Sequence, residues 1–244
     1  MTAREDVLAR YDPIRDSIKR VLKLAEESCA KADWSRAIRQ VAPWADLGAL
    51  AEAESAGAML TDVALFERNQ RGRRVFDRFL TGKARSLSAP DLALAQRMAD
   101  SAVFSMFRYA GPHEAAGVWL EDMLHRPRRL WLVDRALEAA GSPEGLVIAM
   151  RLFEAEAFHA GFGIVVPVDP ETYELCFDCA QRGRSMPFRY SLAATLYGDA
   201  LADEEVPLNQ AAAEVMEEVL DRLEGERPAV FWNPEDGARG KKKG

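Results

Sequence analysis

Between Val103 and Val168 the chain abandons the pattern that governs its first hundred residues, and this break constrains the fold more than any other feature. Val103-Phe104-Ser105-Met106-Phe107-Arg108-Tyr109 is rich in β-branched and aromatic residues and stops at Gly111-Pro112. Val118-Trp119-Leu120 and Leu130-Trp131-Leu132-Val133 flank His125-Arg126-Pro127-Arg128, which reads as a turn. Gly141-Ser142-Pro143-Glu144-Gly145 is a second turn, and beyond it Leu146, Ile148, Met150 and Leu152 alternate at the strand period. Phe162 to Val168 reads as a further strand bounded by Pro167. Leu152 to Phe158 fits a strand or a helix, because periodicity does not decide over so short an apolar run. Four or five short strands between turns predict a small antiparallel barrel or curled sheet.

The flanks carry helical signals. Asp12-Pro13 reads as a helix start, followed by an apolar stripe of Ile14, Ile18, Val21, Leu22, Ala25 and Cys29. Trp34 to Val41 is helical in character, Pro43-Trp44 breaks it, and Asp46 to Phe66 reads as one helix weakened at Gly57. Ser88-Ala89-Pro90-Asp91 has the spacing of a capping box, in which the hydroxyl takes a first-turn amide and the carboxylate returns the bond. Asp169-Pro170-Glu171 repeats the start signal ahead of a stripe of Tyr173, Cys176, Phe177 and Ala180. Helices are expected near Tyr190 to Leu201 and from Leu208 to Leu223. The expected fold is therefore α+β: a helical region over residues 1–100, a small β module over 101–169, helices over 170–224 and a flexible tail over 225–244. No long linker separates these parts, which predicts one unit rather than independent domains.

Composition narrows the function classes. With 48% apolar and 29% charged residues the chain can build a sizeable core. A formal net charge of -7 argues against a protein that coats nucleic acid. No apolar run reaches the roughly 18–20 residues that span a bilayer, and Met1 to Arg10 lacks an apolar signal core. Three cysteines, Cys29, Cys176 and Cys179, suit a reducing compartment, so a cytoplasmic location is the expectation.

Few residues point to chemistry. Cys176-Phe177-Asp178-Cys179 is a single C-x-x-C with no second pair, so it is read as two residues one helical turn apart. His125 follows Glu121-Asp122, a constellation that could work as an acid/base or metal cluster. In a strand, however, those two carboxylates face opposite sides. Arginines gather at Arg68, Arg71, Arg73, Arg74 and Arg78, at Arg126, Arg128 and Arg129, with Lys241, Lys242 and Lys243 at the end of the chain. They suit phosphate contact or, more simply, a solvated surface paired with Glu and Asp. Trp119 and Trp131 lie on either side of the proposed turn and are placed to pair across strands or to stack on a ligand. Gly161-Phe162-Gly163 reads as a bulge or a point of close packing.

Val118-Trp-Leu-Glu-Asp-Met-Leu124, followed by Arg129-Leu-Trp-Leu-Val-Asp-Arg135, resembles the β module of bacterial proteins that often carry a zinc-binding SEC-C motif. The resemblance spans about 60 residues and implies a small β module beside helices with a protein-contact role. In that family the zinc motif is cysteine-rich and lies near a Gly-Lys-Lys stretch. Here Gly240-Lys-Lys-Lys-Gly244 has no cysteine near it, so zinc binding does not carry over. No catalytic residue, metal ligand or cofactor is assigned. The leading expectation is a non-catalytic cytoplasmic binding or adaptor protein with another protein as partner. The alternatives are an enzyme with a site near Glu121, Asp122 and His125, and a nucleic-acid binder using the arginine clusters.

Overall fold

The computed structural model describes residues 2–125, 128–204, 206–214 and 216. Its first helix, α1 (Ala3–Glu26), starts well before Asp12-Pro13. Thr2 and Glu5 form a reciprocal capping box that satisfies the free amides upstream, so the helix has begun before Pro13 arrives. Pro13 then sits on an exposed face inside α1, and Asp12 pairs with Arg135 at 2.6 Å instead of capping. Val7, Tyr11, Ile14, Ile18, Val21 and Ala25 form the buried stripe, while Cys29 lies past the helix end.

Next come α2 (Lys31–Val41), α3 (Leu47–Glu52) and α4 (Ala56–Phe66). The single helix expected from Asp46 to Phe66 is thus two, broken at an extended Ala53. The break falls where burial changes: α3 buries only Leu50, whereas α4 buries eight of its eleven residues. α5 (Val75–Thr81), a 3-10 turn at Lys83–Ser86 and α6 (Ala89–Ser101) complete the N-terminal helices. At α6 the Ser88 hydroxyl accepts from the Asp91 amide as expected, but the Asp91 carboxylate does not return the bond. It reaches across to α1, accepting from Ser17 and from Arg20 at 2.8 Å, and thereby ties the two helices together.

The β elements are β1 (Val103–Pro112), β2 (Val118–Asp122), β3 (Arg129–Leu132), β4 (Val147–Glu154), β5 (His159–Gly161) and β6 (Val166–Pro167). β1 pairs with β4 along its first half and with β2 along its second. β2 pairs with β3, β4 with β5, and β3 closes on β5 at Leu132 and His159. The result is a closed five-stranded barrel, with β6 on the free stretch of β4. The expectation of an antiparallel module holds for every pair but the closing one, which is parallel. Strands that alternate in direction cannot close a ring of odd number without one parallel seam. The order 1-2-3-5-4-1, with a helix between β3 and β4, is the Greek-key connectivity of OB-type barrels.

That helix, α7 (Arg135–Ala140), has no counterpart in the sequence reading. Asp134 caps it by accepting from Ala136 and Leu137 amides, Gly141 ends it at φ 59°, and Leu137 joins the barrel core. Phe107, Leu120, Leu132, Ile148, Met150 and Leu152 fill the barrel interior. The strand expected from Phe162 to Val168 is reduced to β6: Gly163 takes φ 87°, and Phe162 stacks on Phe66 at 4.9 Å and Phe153 at 5.5 Å.

α8 (Pro170–Gln181) begins on Asp169, which accepts from the Thr172 amide, and α9 (Leu192–Asp203) packs on β1 and β4 beside α2 and α4. After α9 the chain returns to residues 43–46, where Ala45 bridges Leu208 and Asn209 bonds the Pro43 carbonyl at 2.9 Å. Of the helix expected over Leu208 to Leu223, only the beginning lies within the described residues; the tail, Lys241 to Lys243 and Arg126 lie outside them. None of the described helices is long and apolar enough to cross a membrane. The helices cover β1 and β4, and no helix packs extensively across β2 and β3 among the described residues.

Candidate functional site

The structure brings Asp122 and His125 together and leaves Glu121 out. Asp122 points inward from the end of β2 and is 4% exposed; Glu121 faces outward, its carboxylate 3.6 Å from Arg108. One Asp122 oxygen accepts from Ser105 at 2.7 Å and from the Leu124 and His125 amides at 3.1 Å each. The other takes the His125 Nδ1 at 3.1 Å. These donors overcome the cost of burial and hold Asp122 down at about 2, while Asp122 in turn raises the His125 pKa above 6.5.

Ser105, His125 and Asp122 are residue types that can hydrolyse an acyl bond, but the geometry is of another kind. A catalytic triad places the serine and the carboxylate on opposite nitrogens of the imidazole. Here both lie at Nδ1, with Ser105 at 3.3 Å, and the fully buried Ser105 hydroxyl donates to Asp122 rather than to a base. The arrangement closes the start of the β2–β3 turn.

The outward side of that hairpin is built differently. Trp119 and Trp131 are direct cross-strand partners, as their placement around the turn implies. His113, from the β1–β2 loop, lies flat on Trp131 with centroids 3.9 Å apart and planes 6° apart, and its centroid is 4.6 Å from that of Trp119. The Arg129 guanidinium covers Trp119 at 4.7 Å. Burial keeps the His113 pKa below 6.5, so at neutral pH it stacks as an uncharged ring. Trp131 is anchored by its indole N–H, which donates to the Ala116 carbonyl at 2.7 Å. Gly117 permits this register, because a Cβ there would meet the Leu132 carbonyl at 2.1 Å.

Beside this stack a groove of about 360 Å³ runs between the hairpin and α8, lined by Arg108, Glu121, Arg128, Arg129, Phe177 and Gln181. Arg108 donates to the Tyr173 hydroxyl at 3.1 Å, and Arg128 lies 3.8 Å from Glu154. Two arginines on this wall thus lie near glutamates, Arg108 by Glu121 and Arg128 by Glu154, while Arg129 covers Trp119 and donates to the Ala110 carbonyl.

Of the other arginine cluster, Arg68, Arg74 and Arg78 are taken up by the fold, while Arg71 and Arg73 stand exposed. Arg74 pairs with Asp77 and bonds the Ala99 carbonyl; Arg78 bonds the Ser28 carbonyl and Asp33; Arg68 bonds the Gly72 carbonyl. Cys176 and Cys179 are buried on α8, and burial lifts the Cys176 thiol to about 11. Among the described residues no group of three or more His, Cys, Asp or Glu is placed to hold a metal ion.

One buried ion-pair network escaped the sequence reading altogether. Arg151 of β4, its side chain 6% exposed, donates to Asp62 at 2.8 Å and to Glu67 at 2.7 Å. Its guanidinium lies between Phe66 and Phe104, and the Tyr197 hydroxyl donates to Asp62 at 3.2 Å. The signal was there: Asp62 and Arg151 are each the lone charge in an apolar run, Met59 to Phe66 and Leu146 to Phe153. Such residues are almost never fully buried unless paired. Comparison of the chain with family models, with curated proteins and with solved structures finds no match.

Proposed function

We propose that this chain is a non-catalytic cytoplasmic binding protein, and that it engages another protein through the outer wall of the β2–β3 hairpin. The observation that carries this reading is the Arg129–Trp119–His113–Trp131 stack on the barrel wall across which no described helix packs extensively. Tryptophan and arginine dominate the energetics of protein interfaces, and a rigid stack presents them at small entropic cost. The groove beside it adds Phe177 and charges of both signs, which suits a partner of mixed polarity. Unpaired thiols at Cys29, Cys176 and Cys179 favour a reducing compartment.

The barrel connectivity favours a second reading on the same wall, since OB-type barrels bind oligonucleotides across their second and third strands. Charge and stacking weigh against it. A polyanion gains affinity by releasing counterions from neutralised phosphates, and here Arg108 and Arg128 each have a glutamate near them. The tryptophan faces are already covered by His113 and Arg129, so a base would first have to displace them.

Fluorescence anisotropy with labelled single-stranded oligonucleotides over a salt series separates the two. The protein-partner reading predicts no sequence-independent binding at physiological salt. Tight binding that falls steeply with salt and is lost in Trp119→Ala would replace it with the nucleic-acid reading.

A further inference from the structure

A separate cleft, of about 490 Å³, opens on the far side of α7, between α1, α7 and the loop from Gly161 to Val165. Its apolar lining comes from Ile18, Leu137, Phe162 and Val165. Arg15 and Lys19 stand on its rim, one helical turn apart on α1, so both cations project to the same side. Neither makes an ion pair or a side-chain hydrogen bond among the described residues. Two further charges, Arg135 and Asp134, are committed elsewhere: Arg135 pairs with Asp12, and Asp134 caps α7.

Tyr11 adds a donor to the cleft. It is 5% exposed as a residue and lines the cleft, and its hydroxyl, which bonds no described residue, stays open to solvent there. Burial raises its pKa to about 12, so it remains a neutral donor across the physiological range.

We propose that this cleft binds a small amphipathic anion, a carboxylate on an aliphatic body. The carboxylate would sit between Arg15 and Lys19 within reach of the Tyr11 hydroxyl, and the aliphatic body would lie over Ile18, Leu137 and Val165. Arg15, Lys19 and Arg135 against Asp12 and Asp134 leave one surplus positive charge around the cleft, which matches a monoanion. The volume falls within the ordinary range for small-molecule pockets, roughly 300–1,000 Å³. The proposal does not depend on the protein-binding role of the hairpin, which lies on other elements.

Isothermal titration of the full chain with octanoate tests it. The expected result is saturable binding of one octanoate per chain with a Kd of about 1 mM or tighter. The double variant Arg15→Glu, Lys19→Glu, whose positions are exposed, should weaken binding by about tenfold or more. Octanol should bind correspondingly less well than octanoate. Ala140→Trp, at an exposed position that lines the cleft, should remove binding of both by filling the apolar space. Absence of saturable binding, equal affinity for octanoate and octanol, or an unchanged affinity in the charge-reversed variant would each overturn the proposal. Circular dichroism on each variant establishes that it is folded.

Discussion

Arg151 shows how much a single side chain does here. It crosses from the barrel to α4 and satisfies two carboxylates at once, Asp62 and Glu67. Arg151→Met strands both of them in the interior, and such breaks cost about 3–5 kcal/mol. For a chain of this size that is a fall in Tm of roughly 10 °C or more, read by thermal denaturation. Asp62→Leu combined with Arg151→Met removes the more deeply buried of the two stranded carboxylates and leaves Glu67, whose side chain is 19% exposed, so it is expected to recover part of the loss. Asp122 is the second such residue, and its role has a pH signature. His125 has its pKa raised above 6.5 in the folded chain, so its stabilisation is complete below 6.5 and is lost as pH rises through the folded value. Asp122, lowered from 3.8 to about 2, contributes above 3.8 and loses its contribution as pH falls toward about 2. The turn is thus tightest between roughly pH 4 and 6.5. Because His113 and His159 have lowered pKa values and act in the opposite direction, the contribution of His125 is read as the Tm difference between the parent chain and His125→Gln, which should shrink from pH 6 to pH 8. The His125 side chain is 55% exposed, so solvent screening keeps that change small. Asp122→Ala leaves the Ser105 hydroxyl and two amides without their acceptor and should cost about 2–3 kcal/mol.

At the level of elements, two close approaches and one proline are the most informative. Gly117 lets β2 pass the Leu132 carbonyl, and Gly198 lets α9 meet the Val41 carbonyl, where a Cβ would stand 2.5 Å away. Alanine at either position should destabilise by about 1–3 kcal/mol, through a shift of β2 against β3 or of α9 against α2. Pro13→Ala should act in the opposite direction, since it restores a hydrogen bond inside α1, with a gain of up to about 3 kcal/mol by urea unfolding. These cases also explain what could be read in advance. Ser88, Asp169 and the β1 run carry local signals, a cap or a dense β-branched stretch, and each element forms where its residues indicate. Asp12-Pro13 misled because Thr2 and Glu5, at the edge of the chain, had already started the helix. The parallel β3–β5 seam was illegible because it follows from counting strands around a ring, and α7 because six residues are too few to show a period. At the binding face, Trp119 and Trp131 were visible as cross-strand partners, but His113 joins them from a loop. Nothing local to His113 announces that contact.

The described residues form a barrel held in a helical cradle, with no helix packed extensively across β2 and β3. α6 and α9 cover β1 and β4, the Asp62–Arg151–Glu67 network ties α4 to the barrel, and α7 plugs the barrel from within its own connection. The β2–β3 wall is the one that carries tryptophan and arginine, and on that coincidence the proposed function rests. The most direct test is site-specific photo-crosslinking in the native host, with benzoylphenylalanine in place of Arg129 and, as control, in place of Gln96 on the exposed side of α6. The account predicts a discrete protein adduct at position 129 that resists nuclease, is absent at position 96 and disappears when Trp119→Ala is added. Adducts that are nuclease-sensitive, or the same at both positions, would contradict it.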